Sequence, residues 1–300
     1  MRRIFGMGEI VLDVIFKDNQ PVAAKVGGSV LNAMVSLVRV GLDGYFISEL
    51  GSDRVGDLIL DFLTVNNISI HHIRRYAEGQ SSLALAFLDH RNDASYEFYK
   101  PYPAERSLIV PDDFCADDIL LFGSFYAIDD KVRHDVLKVV NKARDAGALI
   151  VYDPNFRSSH AGNPNCVDAI IENMKLADIV RGSDEDFKNI FGLSDPAEVY
   201  NRIEFWCPNV VITANANGGE VLTPRVKFHF DVPPIQPVST IGAGDNFNAG
   251  MISALVSGGV DRKLLPVMDQ QAWTQIINRG IDFSSAVCMS LDNYVPVGFE

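Results

Sequence analysis

Short apolar runs alternate with amphipathic stretches along most of this chain, and that rhythm constrains the fold more than any other feature. The runs at 3–7, 44–50, 119–122, 149–152, 179–180 and 210–213 read as strands. The stretches at 30–40, 55–66, 131–146, 166–175, 185–190 and 244–257 read as helices. In the second of these, Val55, Leu58, Ile59, Phe62 and Leu63 share one helical face. Gly41 and Gly147 end two of the helices. Such alternation predicts an α/β fold, a doubly wound and mostly parallel sheet with helices on both faces. At 300 residues the chain reads as one domain, 1–300, long enough to bury its own core.

One region breaks the rhythm. From 68 to 99 the chain reads strand-like, with Leu83, Leu85 and Phe87 alternating and a hairpin turn at 90–94. Together with 11–25 it predicts a small antiparallel sheet that serves as a lid and excludes water from a ligand. An extra edge of the main sheet is the plainer alternative.

Charge and length exclude several classes. Twenty-six Lys and Arg against 39 Asp and Glu leave net −13, which repels phosphate backbones and anionic lipid. Neither nucleic acid nor membrane is expected as a partner, and no stretch is long and apolar enough to span a bilayer. The apolar N-terminus is interrupted by Gly8, Glu9 and Asp13, so it does not read as a signal peptide. Cys115, Cys166, Cys207 and Cys288 are dispersed, which points to a reducing cytoplasm.

Three motifs fail. Gly6-Met7-Gly8 lacks the third glycine of a dinucleotide fingerprint, Val11 standing in its place. No lysine follows a glycine, so there is no Walker-type phosphate loop, and GxSxG is absent. The histidines make no metal-binding pair, and His71 and His72 fall on opposite faces of a strand.

The informative stretch is 238–250, VSTIGAGDNFNAG. A loop carrying Gly242 and Gly244 runs straight into an apolar helix. The first turn of such a helix presents free N–H groups and a positive dipole end, a ready anion hole. Asp245 sits in that turn. It is either a helix cap or a base that takes a proton from a hydroxyl while the hole holds phosphoryl oxygens.

GAGDNF resembles the C-terminal signature of the ribokinase-like, or pfkB, carbohydrate kinases. Four further motifs in order strengthen the resemblance: Gly8-Glu9 with Asp13, Gly27-Gly28 through Asn32, Gly51 through Asp57 as GxDxxGD, and Asp153-Pro-Asn155-Phe-Arg157. It implies a doubly wound core with a β-sheet lid, transfer of the ATP γ-phosphoryl to a sugar hydroxyl, and Mg²⁺. It implies Asp245 as base, and Gly242, Ala243 and Gly244 as anion hole. The sugar would meet Asp13, Gly27, Gly28, Asn32 and Arg157, although Arg157 could pair with Asp153 instead. The nucleotide would meet Thr213, Asn215, Gly218, Thr240, Gly242 and Gly244.

Three departures stand out. The family's Asn-x-x-Glu is Ser183-Asp-Glu-Asp186, similar to the fructokinase branch, with Asp186 or Glu185 left as the metal-side carboxylate. The Asp before the Thr of the signature is Ser239, and the loss of that charge speaks against a K⁺ requirement. The nucleotide turn carries Asn215, a residue that tolerates left-handed backbone. The resemblance implies a fructokinase-like enzyme. Other acceptors are 2-keto-3-deoxygluconate, ribose, a tagatose-type sugar or a nucleoside, and a non-catalytic sugar sensor is the alternative class. A homodimer through the lid is expected.

Overall fold

A computed structural model describes residues 2–88, 94–156 and 164–300. The first half runs β1 Arg3–Met7, β2 Val11–Lys17, β3 Gln20–Gly27, α1 Ser29–Arg39, β4 Asp43–Gly51, α2 Arg54–Val65, β5 Ile68–Tyr76, β6 Leu83–Leu88, β7 Ala94–Tyr99 and β8 Ile119–Gly123. The second runs α3 Arg133–Asp145, β9 Leu149–Asp153, α4 Pro164–Leu176, β10 Ile179–Ser183, α5 Asp184–Phe191, α6 Pro196–Ile203, β11 Val210–Thr213, β12 Gly219–Leu222, β13 Lys227–Phe230, α7 Ala243–Ser257 and α8 Gln270–Cys288.

The main sheet has the order β13-β12-β11-β10-β9-β8-β1-β4-β5. From β5 to β11 every pairing is parallel, and β12 and β13 close one edge antiparallel. Neighbouring residues of one strand enter different cores: Ile4 packs with α1, α2, α7 and α8, while Phe5 packs with α3 to α6. Leu121 and Leu120, and Val151 and Ile150, divide in the same way. This is the doubly wound α/β arrangement the alternation predicts, with both faces covered.

The small sheet has the order β3-β2-β6-β7. It corrects two expectations. First, 68–76 is not part of it: β5 pairs parallel with β4 at the edge of the main sheet. It follows α2 after a tight turn in which Asn67 is left-handed (φ 56°), so it returns beside β4 as a crossover strand. Secondly, the sheet is mixed. β2 and β3 form a hairpin over left-handed Asp18 and Asn19, but β6 arrives by way of β5 and runs parallel to β2. Of the turn expected at 90–94, only Ala94 is among the described residues. His71 and His72 divide as expected, exposed and half-buried.

Asp53 ties the two sheets together. It caps α2 through Gly56 N–H at 2.7 Å and also accepts from Ser81 N–H at 2.8 Å and Ser81 O–H at 2.7 Å, just before β6. Burial pushes the Asp53 carboxyl up, but these donors pull it further down, to a net position below its ordinary value. A carboxylate held low stabilises the fold above its unfolded pKa and loses that contribution as pH falls through the folded one. Asp53→Ala is therefore expected to cost about 1–3 kcal/mol in urea melts at pH 7. The gap to wild type narrows as the pH is taken below the ordinary carboxylate range.

Candidate active site

Two helices that begin with glycine converge on one point. Gly28 occupies the capping position of α1 and Gly242 that of α7, and neither helix has a side-chain cap. By contrast α2, α5, α6 and α8 are capped by Asp53, Ser183, Asp195 and Asp269. Gly28 has φ 139°, and a Cβ there would stand 2.3 Å from the Glu9 carbonyl oxygen. Gly242 has φ 79°, and its Cβ would stand 3.0 Å from the Asn293 oxygen. Only glycine meets both conditions. An uncapped helix start leaves N–H groups and the positive dipole end directed outward. Between the two starts lies a cavity of about 10 Å³ bordered by Ser29, Val30, Leu121, Asp153, Asp245 and Asn248.

Asp245 is not the helix cap, since Gly242 holds that position. Its Oδ2 accepts from Asn32 Nδ2 at 2.8 Å, which joins the first turns of α1 and α7 directly. Asn32 is buried and its Oδ1 has no partner among the described residues. Gly27, at the end of β3, directly precedes the Gly28 cap, and Asp13 on β2 lies against it. A Cβ at Gly27 would lie 2.5 Å from Asp13 Oδ2, so the carboxylate occupies the space a side chain would fill. Thr240 closes the turn into α7, its carbonyl accepting from Ala243 N–H at 3.2 Å. Asp13, Gly27, Gly28, Asn32, Thr240, Gly242, Ala243, Gly244 and Asp245 thus stand around the two helix starts.

Sequence reasoning missed Arg181 and Asn248. The Arg181 guanidinium lies behind the hole, its Nη1 2.8 Å from where a Gly244 Cβ would be. Nη1 donates to Asp153 Oδ2 at 3.0 Å and Nη2 to Thr213 Oγ1 at 2.6 Å. Asn248 Nδ2 donates to the same Asp153 oxygen. A cation is therefore fixed against the α7 start by the ends of β9 and β11. The one signal for it was a charged residue inside a buried strand, which demands a partner.

The remaining expected residues fall as follows. Asp186 spends both oxygens on protein donors: Ser183 N–H and O–H at 2.7 and 2.6 Å, and Phe156 N–H at 2.6 Å. It completes the capping box of α5. Burial, and then the Asp153 carboxylate, push its carboxyl above the ordinary value. Among the described residues no group of three His, Cys, Asp or Glu could hold a metal ion. Asn215 is left-handed (φ 49°), and the turn closes with Ala214 N–H donating to Gly218 O at 2.8 Å. Arg157 lies outside the described residues. A larger cavity of about 780 Å³ opens beside the small sheet, lined by Asp53, Arg54, Leu83, Phe98 and Tyr99 among others. It holds none of the convergent polar groups, so chemistry rather than size locates the site.

The chain is similar to known proteins along most of its length. The family described as pfkB family carbohydrate kinase matches residues 1–273. Fructokinase of Klebsiella pneumoniae is 25% identical over 279 residues, 91% of each chain. Aminoimidazole riboside kinase of Salmonella typhimurium is 26% identical over 261 residues, 85% of this chain and 81% of its own. The solved fructokinase of Xylella fastidiosa with bound ATP shares the fold at TM-score 0.85 and 22% identity, covering 97% of this chain and 93% of its own. Among the described residues no helix is long and apolar enough to cross a membrane.

The Arg181–Asp153 pair is buried, so removing one partner strands the other. Arg181→Met is expected to cost about 3–5 kcal/mol in urea unfolding. Thr213→Val, which removes one acceptor, is expected to cost about 1–3 kcal/mol.

Proposed function

This chain belongs to the pfkB family of carbohydrate kinases, and we propose that it transfers the γ-phosphoryl group of ATP to a hydroxyl of a fructose-like sugar, with Asp245 as general base. The observation that carries this reading is a carboxylate standing inside the uncapped, glycine-led start of a helix, held by Asn32 at 2.8 Å. A base and an anion hole within one helical turn meet the two needs of phosphoryl transfer, positioning and charge neutralisation.

In this reading the sugar lies against Asp13, Gly27, Gly28 and Asn32, and the free Asn32 Oδ1 accepts from one of its hydroxyls. The N–H groups of Gly242 and Gly244 bind γ-phosphoryl oxygens, the Ala243 N–H being turned back to the Thr240 carbonyl, with the Arg181 charge fixed behind them. The sugar oxygen attacks the γ-phosphorus, its proton passes to Asp245, and the bond to ADP breaks. Thr213 and the Asn215–Gly218 turn border the nucleotide. Ile241, Met289 and Leu291, apolar yet exposed, offer the base a surface. The small sheet acts as the lid, placing Asp13 over the site and excluding water.

The protein's own carboxylates do not build a cage for Mg²⁺, because Asp186, Asp153 and Asp245 are each committed to protein donors. They suit a cation that arrives on nucleotide phosphates with most of its waters.

Fructokinase relatives support a ketose, and the aminoimidazole riboside kinase relative supports a sugar ring of furanose type. A coupled ADP-release assay with MgATP over fructose, ribose, 2-keto-3-deoxygluconate, tagatose and adenosine tests the choice. Fructose is expected to turn over fastest. Asp245→Asn is expected to lower the rate about 10²–10⁴-fold while melting with wild type. Wild-type activity retained in Asp245→Asn would remove the base from the account.

A further inference from the structure

Lys25 stands on the small sheet but bonds to the other half of the molecule. In the β2–β3 register it lies opposite Asp13, so the two side chains share a face. From there its ammonium donates to the Leu291 carbonyl at 2.7 Å and to Asp292 Oδ1 at 3.2 Å, in the segment after α8. The next residue, Asn293, is packed on the anion hole. Its carbonyl accepts from Asn246 Nδ2 at 2.8 Å, and its backbone closes the space at Gly242. One ammonium therefore ties β3, the strand paired with that of Asp13, to the two residues that precede Asn293, which abuts Gly242.

We propose that Lys25 is a positioning residue that couples the two substrate half-sites, holding the small sheet shut against the 291–293 segment. This rests on the phosphoryl-transfer reading, which gives Asp13 to the sugar and Gly242 to the phosphates. An ion pair with a partner as exposed as Asp292 adds little to global stability. Its effect is felt instead in the closing of one element on another, where a backbone acceptor fixes the direction. A sugar that orders β2 and β3 also orders Leu291 and Asn293 through this contact. Coupling is reciprocal, so the sugar tightens nucleotide binding and the nucleotide tightens sugar binding by the same factor.

The test uses the full chain as wild type, Lys25→Met and Lys25→Arg. MgADP affinity is measured by calorimetry with and without fructose, or whichever sugar the panel selects. Amide hydrogen exchange of β2 and β3 is followed without any ligand. In wild type the sugar is expected to tighten MgADP about two- to fivefold, an effect lost in Lys25→Met and restored in Lys25→Arg. Exchange in β3 is expected to speed up in Lys25→Met alone. Wild-type coupling and exchange in Lys25→Met would overturn the proposal, as would absence of sugar–nucleotide coupling in the wild type. If wild type binds no MgADP, it is the phosphoryl-transfer reading that fails. The ligand-free exchange comparison then still decides whether Lys25 holds the small sheet.

Discussion

The site depends on where helix α7 begins. Four polar contacts pin its first turns. Asn32 holds Asp245, the Ser36 hydroxyl donates to Asn246, Asn246 reaches Asn293, and Asn248 reaches Asp153. None of them consumes the N–H groups at the very start of the helix. The same turn in a helix capped by Ser or Asp would satisfy itself and bind nothing. Gly242 therefore does more than permit a turn: it starts the helix without a side-chain cap, with the Ala243 N–H turned back to the Thr240 carbonyl.

This local arrangement runs against the charge of the whole chain. At net −13 the protein repels anions at long range. Within the site the balance differs, because two helix starts border the same small space and the Arg181 guanidinium lies against Gly244 at one of them. Asp153 partly neutralises Arg181 and also orients it, with Thr213 fixing the second nitrogen. A cation held this way needs little reorganisation when an anion enters, which is the economy an electrostatic catalyst requires.

Much of this was legible in the sequence, for reasons that differ by residue. The parallel core could be read from apolar runs because both of its faces are buried. Gly242 and Gly244 before an apolar helix could be read as a helix start with free N–H groups, whereas spacing left Asp245 as cap or base until the family resemblance was added. β5 was misplaced because partial alternation in ISIHHIRR describes any half-covered strand, whether in a lid or at a sheet edge. β12 and β13, four residues each, were not resolved as strands. α8 runs unbroken through Gly280, which lies against the Phe247 ring of α7, but a glycine in mid-run weakens the helical pattern in the sequence. Asp186 carried a visible capping-box pattern after Ser183, and the structure puts it to that use. Arg181 was hidden because its partners lie 28 and 32 residues away on other strands.

The central claim is that the Gly242–Gly244 turn receives the transferred phosphoryl group. A crystal structure with Mg²⁺, a non-hydrolysable ATP analogue and the accepted sugar tests it most directly. Terminal phosphoryl oxygens are expected within hydrogen-bond distance of that turn's N–H groups, and a sugar hydroxyl between the phosphorus and Asp245. Phosphates seated elsewhere, with the start of α7 facing only solvent, would contradict it.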